Sequence, residues 1–221
     1  VDPVAAFITA LLPVMKEKVE AVALEVSSKP SLLSRFIPEL MTFDEKLRSQ
    51  FNYDGGNPEV GWKGLTWDIL NTYFDKWLDA EKMFVVKRYE EIFSDPERGH
   101  IDFDGADAGK TKPTYGSIKV CDLLYSVTQQ YKELRRFSHK IRFFVEIQSY
   151  LIDQYFGLLN DSFSVYYSAI TTLGRTLQGI SKEERANLEG IGGLDRLCRM
   201  YGSADRIIFV LKEWSSDEVS A

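Results

Sequence analysis

The chain is poor in the residues from which most catalytic and metal centres are made. Its 221 residues include two cysteines, Cys121 and Cys198, and two histidines, His100 and His139. Two cysteines far apart, each within a helical pattern, argue against a disulfide framework, and a reducing compartment is the simplest setting. Neither histidine has Cys or carboxylates at zinc-ligand spacing. No apolar run approaches the ~20 residues that a membrane-spanning helix needs. The opening VDPVAAFITALLPVMKEKVE lacks a basic n-region and carries Pro13 in its apolar part, so it does not read as a signal peptide. There is no initiator Met, and the end WSSDEVSA follows closely on an apolar helix, so the sequence is expected to be a piece of a longer protein.

Positive charge is also in short supply. Lys and Arg number 27 against 33 Asp and Glu, a net charge of -6. A general binder of nucleic-acid backbone needs a basic face, which this balance argues against. One local exception is Lys132, Arg135, Arg136, His139, Lys140 and Arg142, whose ordinary reading is a solvated helical turn.

What the chain has in quantity is apolar residues at helical spacing, 44% of the whole against 27% charged. The stretch 67–93 carries Trp67, Leu70, Phe74, Trp77, Leu78, Val85, Tyr89 and Ile92 at steps of three and four, the pattern of a helix burying one broad face. Thr66 or Gly64 stands near its N-cap. Earlier, Val4, Ile8, Leu11, Met15, Val19, Val22 and Val26 share a helical face, with Pro13 expected to kink it. SSKP (27–30) is a break, and a second helix runs through Leu33, Phe36, Ile37, Leu40, Phe43, Leu47 and Phe51, with Pro38 bending it or marking its start. The Gly- and Pro-rich stretch 52–64 is a loop.

Between 94 and 115 the periodicity vanishes into an acidic loop with a strand-like turn at HIDFDG. Helix resumes through Val120, Cys121, Leu124, Val127, Tyr131 and Leu134. A sustained pattern from Ile141 to Leu177 predicts about 37 helical residues, roughly 55 Å at 1.5 Å per residue, with Gly157 and Gly174 as possible interruptions. A last helix carries Leu188, Ile191, Leu194, Leu197, Tyr201, Ile208 and Leu211, weakened in its first turns by Gly190, Gly192 and Gly193. The fold class read from this is all-α, an elongated helical bundle. Its parts are N-terminal helices at 1–51 and a main bundle at 65–214 with the acidic loop 94–115, in one continuous rod segment.

Several motifs fall short of chemistry. DGADAGKT (104–111) resembles a phosphate loop, but Asp104 stands where the first Gly is needed, and its charge would repel phosphate. Asp102, Asp104 and Asp107 resemble the opening of a calcium loop, yet Ala106 occupies the third ligand position and no Glu closes it. Glu90 and Glu91 read as surface charges. Asn160-Asp-Ser162 matches a glycosylation sequon inside a helix and reads as accidental. Glu81 falls on the apolar stripe between Trp77 and Val85, where an unpaired charge is costly. It is expected either in a buried ion pair or at an edge, reaching into water.

Two segments carry a family resemblance. FDEKLRSQFNY (43–53) has an aromatic-acid-x-x-Leu start in Phe43, Asp44 and Leu47, and YFDKWLDAEKMFVVKRYEEIF (73–93) has Phe-x-x-Trp-Leu-x-x-Glu in Phe74, Trp77, Leu78 and Glu81. Together with VCDLLYSVTQQYKEL (120–134), KIRFFVEIQSYLIDQY (140–155) and GGLDRLCRMYGSADRIIFVLKEWSSD (192–217), they resemble the central part of the RINT/TIP family, subunits of the Dsl/NRZ tethering complex. Residues 94–115 match nothing in that pattern.

The resemblance implies a rod segment of a multisubunit tether without catalysis. The whole protein would capture Golgi-derived retrograde vesicles at the endoplasmic reticulum and engage SNARE proteins. It would sit in the cytoplasm, peripheral to that membrane and without inserting into it, and its partners would be other tether subunits and endoplasmic-reticulum SNAREs, with no nucleic acid. The N-terminal hairpin that joins the partner subunit and the C-terminal domains would lie outside this segment. No residue is assigned as catalytic, cofactor-binding, metal-binding or partner-binding, and no cofactor is expected. Two rivals are an exocyst-type subunit at another membrane and an all-α enzyme whose cleft uses Glu81 or the acidic loop. Isoprenoid-processing enzymes of that second kind need a DDxxD-like carboxylate cluster, which the sequence lacks.

Overall fold

The computed structural model describes residues 2–105, 109–171, 183 and 190–218. Expectations resting on Ala106, Asp107, Leu173, Gly174, Leu177 and Leu188 lie outside these residues. Among the described residues the regular structure is helical and contains no strand. The helices are α1 (Pro3–Val26), α2 (Pro30–Phe51), α3 (Leu65–Ser94), α4 (Tyr115–Tyr131), α5 (Phe137–Phe143), α6 (Tyr150–Ile170) and α7 (Gly190–Glu218). The chain is an all-α helical bundle. It forms two compact units, the first from Val1–Val86 and Ser126–Gln148, the second from Lys87–Tyr125 and Ser149–Ala221.

In the first unit, α1 begins where Asp2 accepts a 2.9 Å hydrogen bond from the Val4 amide, with Pro3 in the first turn, where no amide donor is needed. The helix runs unbroken past Pro13. It packs on α2, and Ile8 with half-buried Ala5 and Leu12 meets Leu47, Phe43, Tyr53 and Trp62. Most of the expected stripe faces inward: Ile8 is buried and Met15, Val19, Val22 and Val26 are half-buried, while Val4 and Leu11 are exposed and Ala23 is fully buried beside them. Apolar residues also occur off this side of α1, Phe7, Val14 and Leu24 being exposed.

α2 starts at Pro30, directly after the expected break, and continues through Pro38. It buries Leu33, Ile37, Leu40, Met41, Asp44 and Leu47, and ends at Asn52, whose left-handed φ of 46° terminates the helix. α3 buries Leu70, Phe74, Trp77, Leu78, Val85 and Ile92 as its spacing predicts. Trp77 is the largest fully buried side chain and packs its ring 4.7 Å from that of Phe143.

α5 passes into a π-helical turn at Phe144–Ser149 and then into α6. The predicted helix from Ile141 is thus present, but it starts earlier, at Phe137, changes hydrogen-bond register at 144–149 and ends at Ile170. Thr171 is extended, with φ -85° and ψ 146°.

In the second unit the strand-like turn is an isolated antiparallel bridge between Ile101 and Thr114. Asp102 donates its amide to Pro113 O at 2.9 Å, and Tyr115 donates to His100 O at 3.0 Å. α4 buries Val120, Cys121, Leu124 and Val127, and α6 buries Leu151 and Tyr155.

α7 packs on α6 through a side other than the expected one. Ile191, Leu194, Tyr201 and Ile208 are exposed, while Gly193, Gly202, Ser203 and Ile207 are buried. Small residues let backbone approach: a Cβ on Gly202 would stand 2.0 Å from the Lys112 carbonyl oxygen. Gly202→Ala is accordingly expected to cost about 1–3 kcal/mol in chemical denaturation, as other overpacked sites do. Gly157→Ala, on open α6 surface, should be neutral or stabilising by up to about 1 kcal/mol.

Candidate functional site

The acid of the first motif is a helix cap donated from a distance. Asp44, on α2, is 1% exposed, and its two oxygens accept from the Leu65 amide at 3.0 Å and the Thr66 amide at 2.8 Å, at the start of α3. Four residues on, Arg48 donates to the carbonyls of Trp62 at 3.1 Å and Lys63 at 2.9 Å, and to Glu45 at 3.1 Å. One turn of α2 thereby holds both the end of the loop and the orphan amides of the next helix. Gly64 is needed between them: its φ is +95°, and a Cβ there would lie 2.3 Å from an Asp44 oxygen. Burial raises the pKa of Asp44, opposed by the Thr66 and Leu65 donors and by Arg48. Of the local N-cap candidates, Thr66 is therefore capped rather than capping, Gly64 leaves room for the carboxylate, and Asp44 is the cap.

The acid of the second motif is buried too. Glu81 is 6% exposed and accepts from the Trp77 indole Nε1 at 3.0 Å, one turn away on α3. Burial raises its pKa, against opposing contributions from Ser34 and Trp77. Neither expected setting occurs. The carboxyl does not reach into water, and among the described residues it bonds an indole, with the Ser34 hydroxyl also acting on it, and pairs with no cation.

The basic turn divides by role. Arg136 bonds Asn71 at 2.6 Å and lies 4.3 Å over the Trp67 ring. Arg142 pairs with Asp75 and with Glu146 and lies 5.2 Å over Phe74. His139 is buried and stacks on Phe74 at 3.7 Å. Burial, then the charges of Arg136 and Arg142, lower its pKa to about 4. A base with a depressed pKa stabilises the fold above its unfolded value near 6.5 and loses that contribution as pH falls through about 4. These three residues clamp the turn onto α3, while Lys132 and Arg135 are exposed and Lys140 is half-buried.

Beside the turn, Met41, Asp44, Arg48, Trp67, Arg136 and His139 line a cavity of about 20 Å³, room for a single water. The His139 Nδ1 has no protein hydrogen-bond partner. The space is too small for a substrate. In the second unit, a hollow of about 130 Å³ is lined by Phe93, Tyr155, Leu158, Thr114 and Ser203, and the Thr114 and Ser203 hydroxyls already satisfy each other at 2.7 Å.

The motifs set aside in the sequence also resolve into local structure. Asp102 accepts from the amides of Asp104 at 3.2 Å and Gly105 at 3.0 Å, folding its own loop. His100 pairs with Glu97 at 2.7 Å. Cys121 is buried and its thiol is pushed up to about 11 by burial, far from a reactive thiolate. Among the described residues no cluster of His, Cys, Asp or Glu could hold a metal ion, and no helix is long and apolar enough to cross a membrane.

No curated protein and no solved structure matches the chain. The family comparison is positive: the model of the RINT-1/TIP-1 family matches residues 1–219. This span contains both acid-bearing motifs, whose acids are buried hydrogen-bond acceptors: Asp44 caps α3 from α2, and Glu81 accepts from an indole within α3. The chain belongs to the RINT-1/TIP-1 family of tethering proteins.

Proposed function

We propose that this chain is the central helical part of a non-enzymatic subunit of an endoplasmic-reticulum tethering complex. The complete protein captures Golgi-to-ER retrograde vesicles, engages endoplasmic-reticulum SNAREs, and is held peripherally at that membrane through its partner subunits. The observation that carries this reading is the family match over residues 1–219. The described sites support it. Several polar groups singled out in the sequence have structural partners: Asp44 caps α3, Glu81 accepts from Trp77, Asp102 folds its own loop and Arg142 pairs with Asp75 and Glu146.

In situ cross-linking of the complete protein followed by mass spectrometry tests the reading. Cross-links to tether subunits and to SNAREs of the endoplasmic reticulum are expected. Cross-links confined to exocyst-type subunits at another membrane would transfer the chain to that rival, and substrate turnover by the purified protein would end the non-enzymatic reading.

A further inference from the structure

Four large apolar side chains of the basic turn point away from the protein. Phe137 is 73% exposed, Ile141 45%, Phe144 50% and Val145 55%. At positions i, i+4, i+7 and i+8 they share one helical face, opposite the buried His139, Phe143 and Ile147. Lys140 and Arg142 flank that face, and Lys132 and Arg135 precede it in the connection from α4. Of the carboxylates on the same segment and on the facing side of α3, Asp75 and Glu146 hold Arg142, and Glu133 is half-buried where it lines the small cavity together with the exposed Arg135. In a chain of net charge -6, this is a concentration of positive charge around exposed aromatics.

We infer that this face, Phe137–Ile141–Phe144–Val145 with Lys132, Arg135 and Lys140 around it, docks shallowly onto an anionic lipid surface. Helices that lie in a membrane interface combine an apolar face with Lys and Arg at its edges, whose stems reach along the apolar surface while the charges meet headgroups. Phe side chains are among those that such helices bury at the boundary between headgroups and acyl chains. A partner helix would require a groove to receive it, but none of the four side chains lines the adjoining cavity, whereas a fluid bilayer conforms to a ridge. Such contact is interfacial and leaves the chain unspanned. It deepens the peripheral part of the proposed function and rests on it only for which membrane is met.

Flotation of the whole chain with vesicles of phosphatidylcholine, with and without phosphatidylserine, tests this directly. Binding is expected with the anionic vesicles alone and should weaken as salt rises. Arg135→Glu with Lys140→Glu, and separately Phe137→Ala with Phe144→Ala, should each reduce it by at least about tenfold. Phe137→Trp should keep it. Lys18→Glu with Lys46→Glu makes the same change in net charge at exposed sites of α1 and α2 and should leave it intact. Absence of flotation with the anionic vesicles, or equal loss in the control variant, overturns the inference. So does tight binding of an acidic amphipathic peptide to this face by a chain that does not float. Lipid binding in vitro is independent of the cross-linking partners, so failure here and failure of the tether reading are distinguishable.

Discussion

Asp44→Ala should lower the stability of the chain by about 3 kcal/mol, because it leaves two buried amides at the start of α3 without acceptors. The loss exceeds that of an ordinary N-cap since Asp44 is 1% exposed and water cannot replace it. Relief from burying a carboxylate, the cause of its raised pKa, offsets part of the cost. Asp44→Asn, with one acceptor oxygen instead of two, should fall between, at roughly 1–2 kcal/mol. Gly64→Ala attacks the same junction from the other side, pressing a methyl onto the carboxylate at a positive φ. It should be comparably destabilising, and a Gly64→Ala/Asp44→Ala pair should lose less than the sum of the singles because the two residues are in contact. Urea midpoints measure all four. Amide exchange at Leu65 and Thr66 should accelerate in Asp44→Ala if the cap is the cause, and unchanged protection there would contradict it.

That junction also shows where sequence reading stops. The packed face of α3 was legible because its apolar residues recur at steps of three and four with polar residues between them. α2 and α4 were legible for the same reason. The cap was not: Asp44 lies 21 residues before the amide of Leu65, and propensity rules look only at neighbours of the helix start. The resemblance motif marked Asp44 and Glu81 without saying why those positions carry acids. Each acid turns out to be a buried acceptor, Asp44 for backbone amides and Glu81 for an indole.

The misread face of α7 has a physical origin. Periodicity identifies a packed side most clearly when the other sides are polar, and α7 carries apolar residues outside as well as in. In α7 the buried row includes Gly193, Gly202 and Ser203, which hydrophobicity passes over although their small size permits close packing with the 112–113 backbone. The π turn at 144–149 was likewise hidden, since it alters hydrogen-bond register and leaves the apolar count unchanged. Its neighbourhood holds the exposed apolar face: Ile141, Phe144 and Val145, which open the sustained pattern in the sequence, lie on the outer side. The role of each cation depended on which carboxylate or ring α3 brought to it, and that is tertiary information.

The largest effect of all is expected at Trp77. It is fully buried, its ring meets Phe143 and the edge of Phe74, and its indole satisfies Glu81. Trp77→Ala should cost about 3–5 kcal/mol through the cavity it leaves, with a further loss from the stranded carboxyl. Glu81→Ala should cost only about 1–3 kcal/mol, the indole losing its acceptor. Glu81→Gln retains an acceptor and removes the buried charge, so near neutrality it should be close to neutral or stabilising. The pH dependence separates the causes. The folded-state pKa of Glu81 is raised above its ordinary value near 4.5, so the folded state holds the proton more tightly than the unfolded state does. Its contribution is complete below that ordinary value and is lost as pH rises through the raised one. Asp44 titrates in the same sense and His139 in the opposite one, and both remain in the variant. The difference between Glu81→Gln and wild type should therefore move in favour of the variant as pH rises from the acid side toward neutrality. Denaturation curves at a series of pH values measure it. A difference that stays constant, or that grows in favour of wild type, would mean that the Glu81 carboxyl is charged and stabilised in the fold after all.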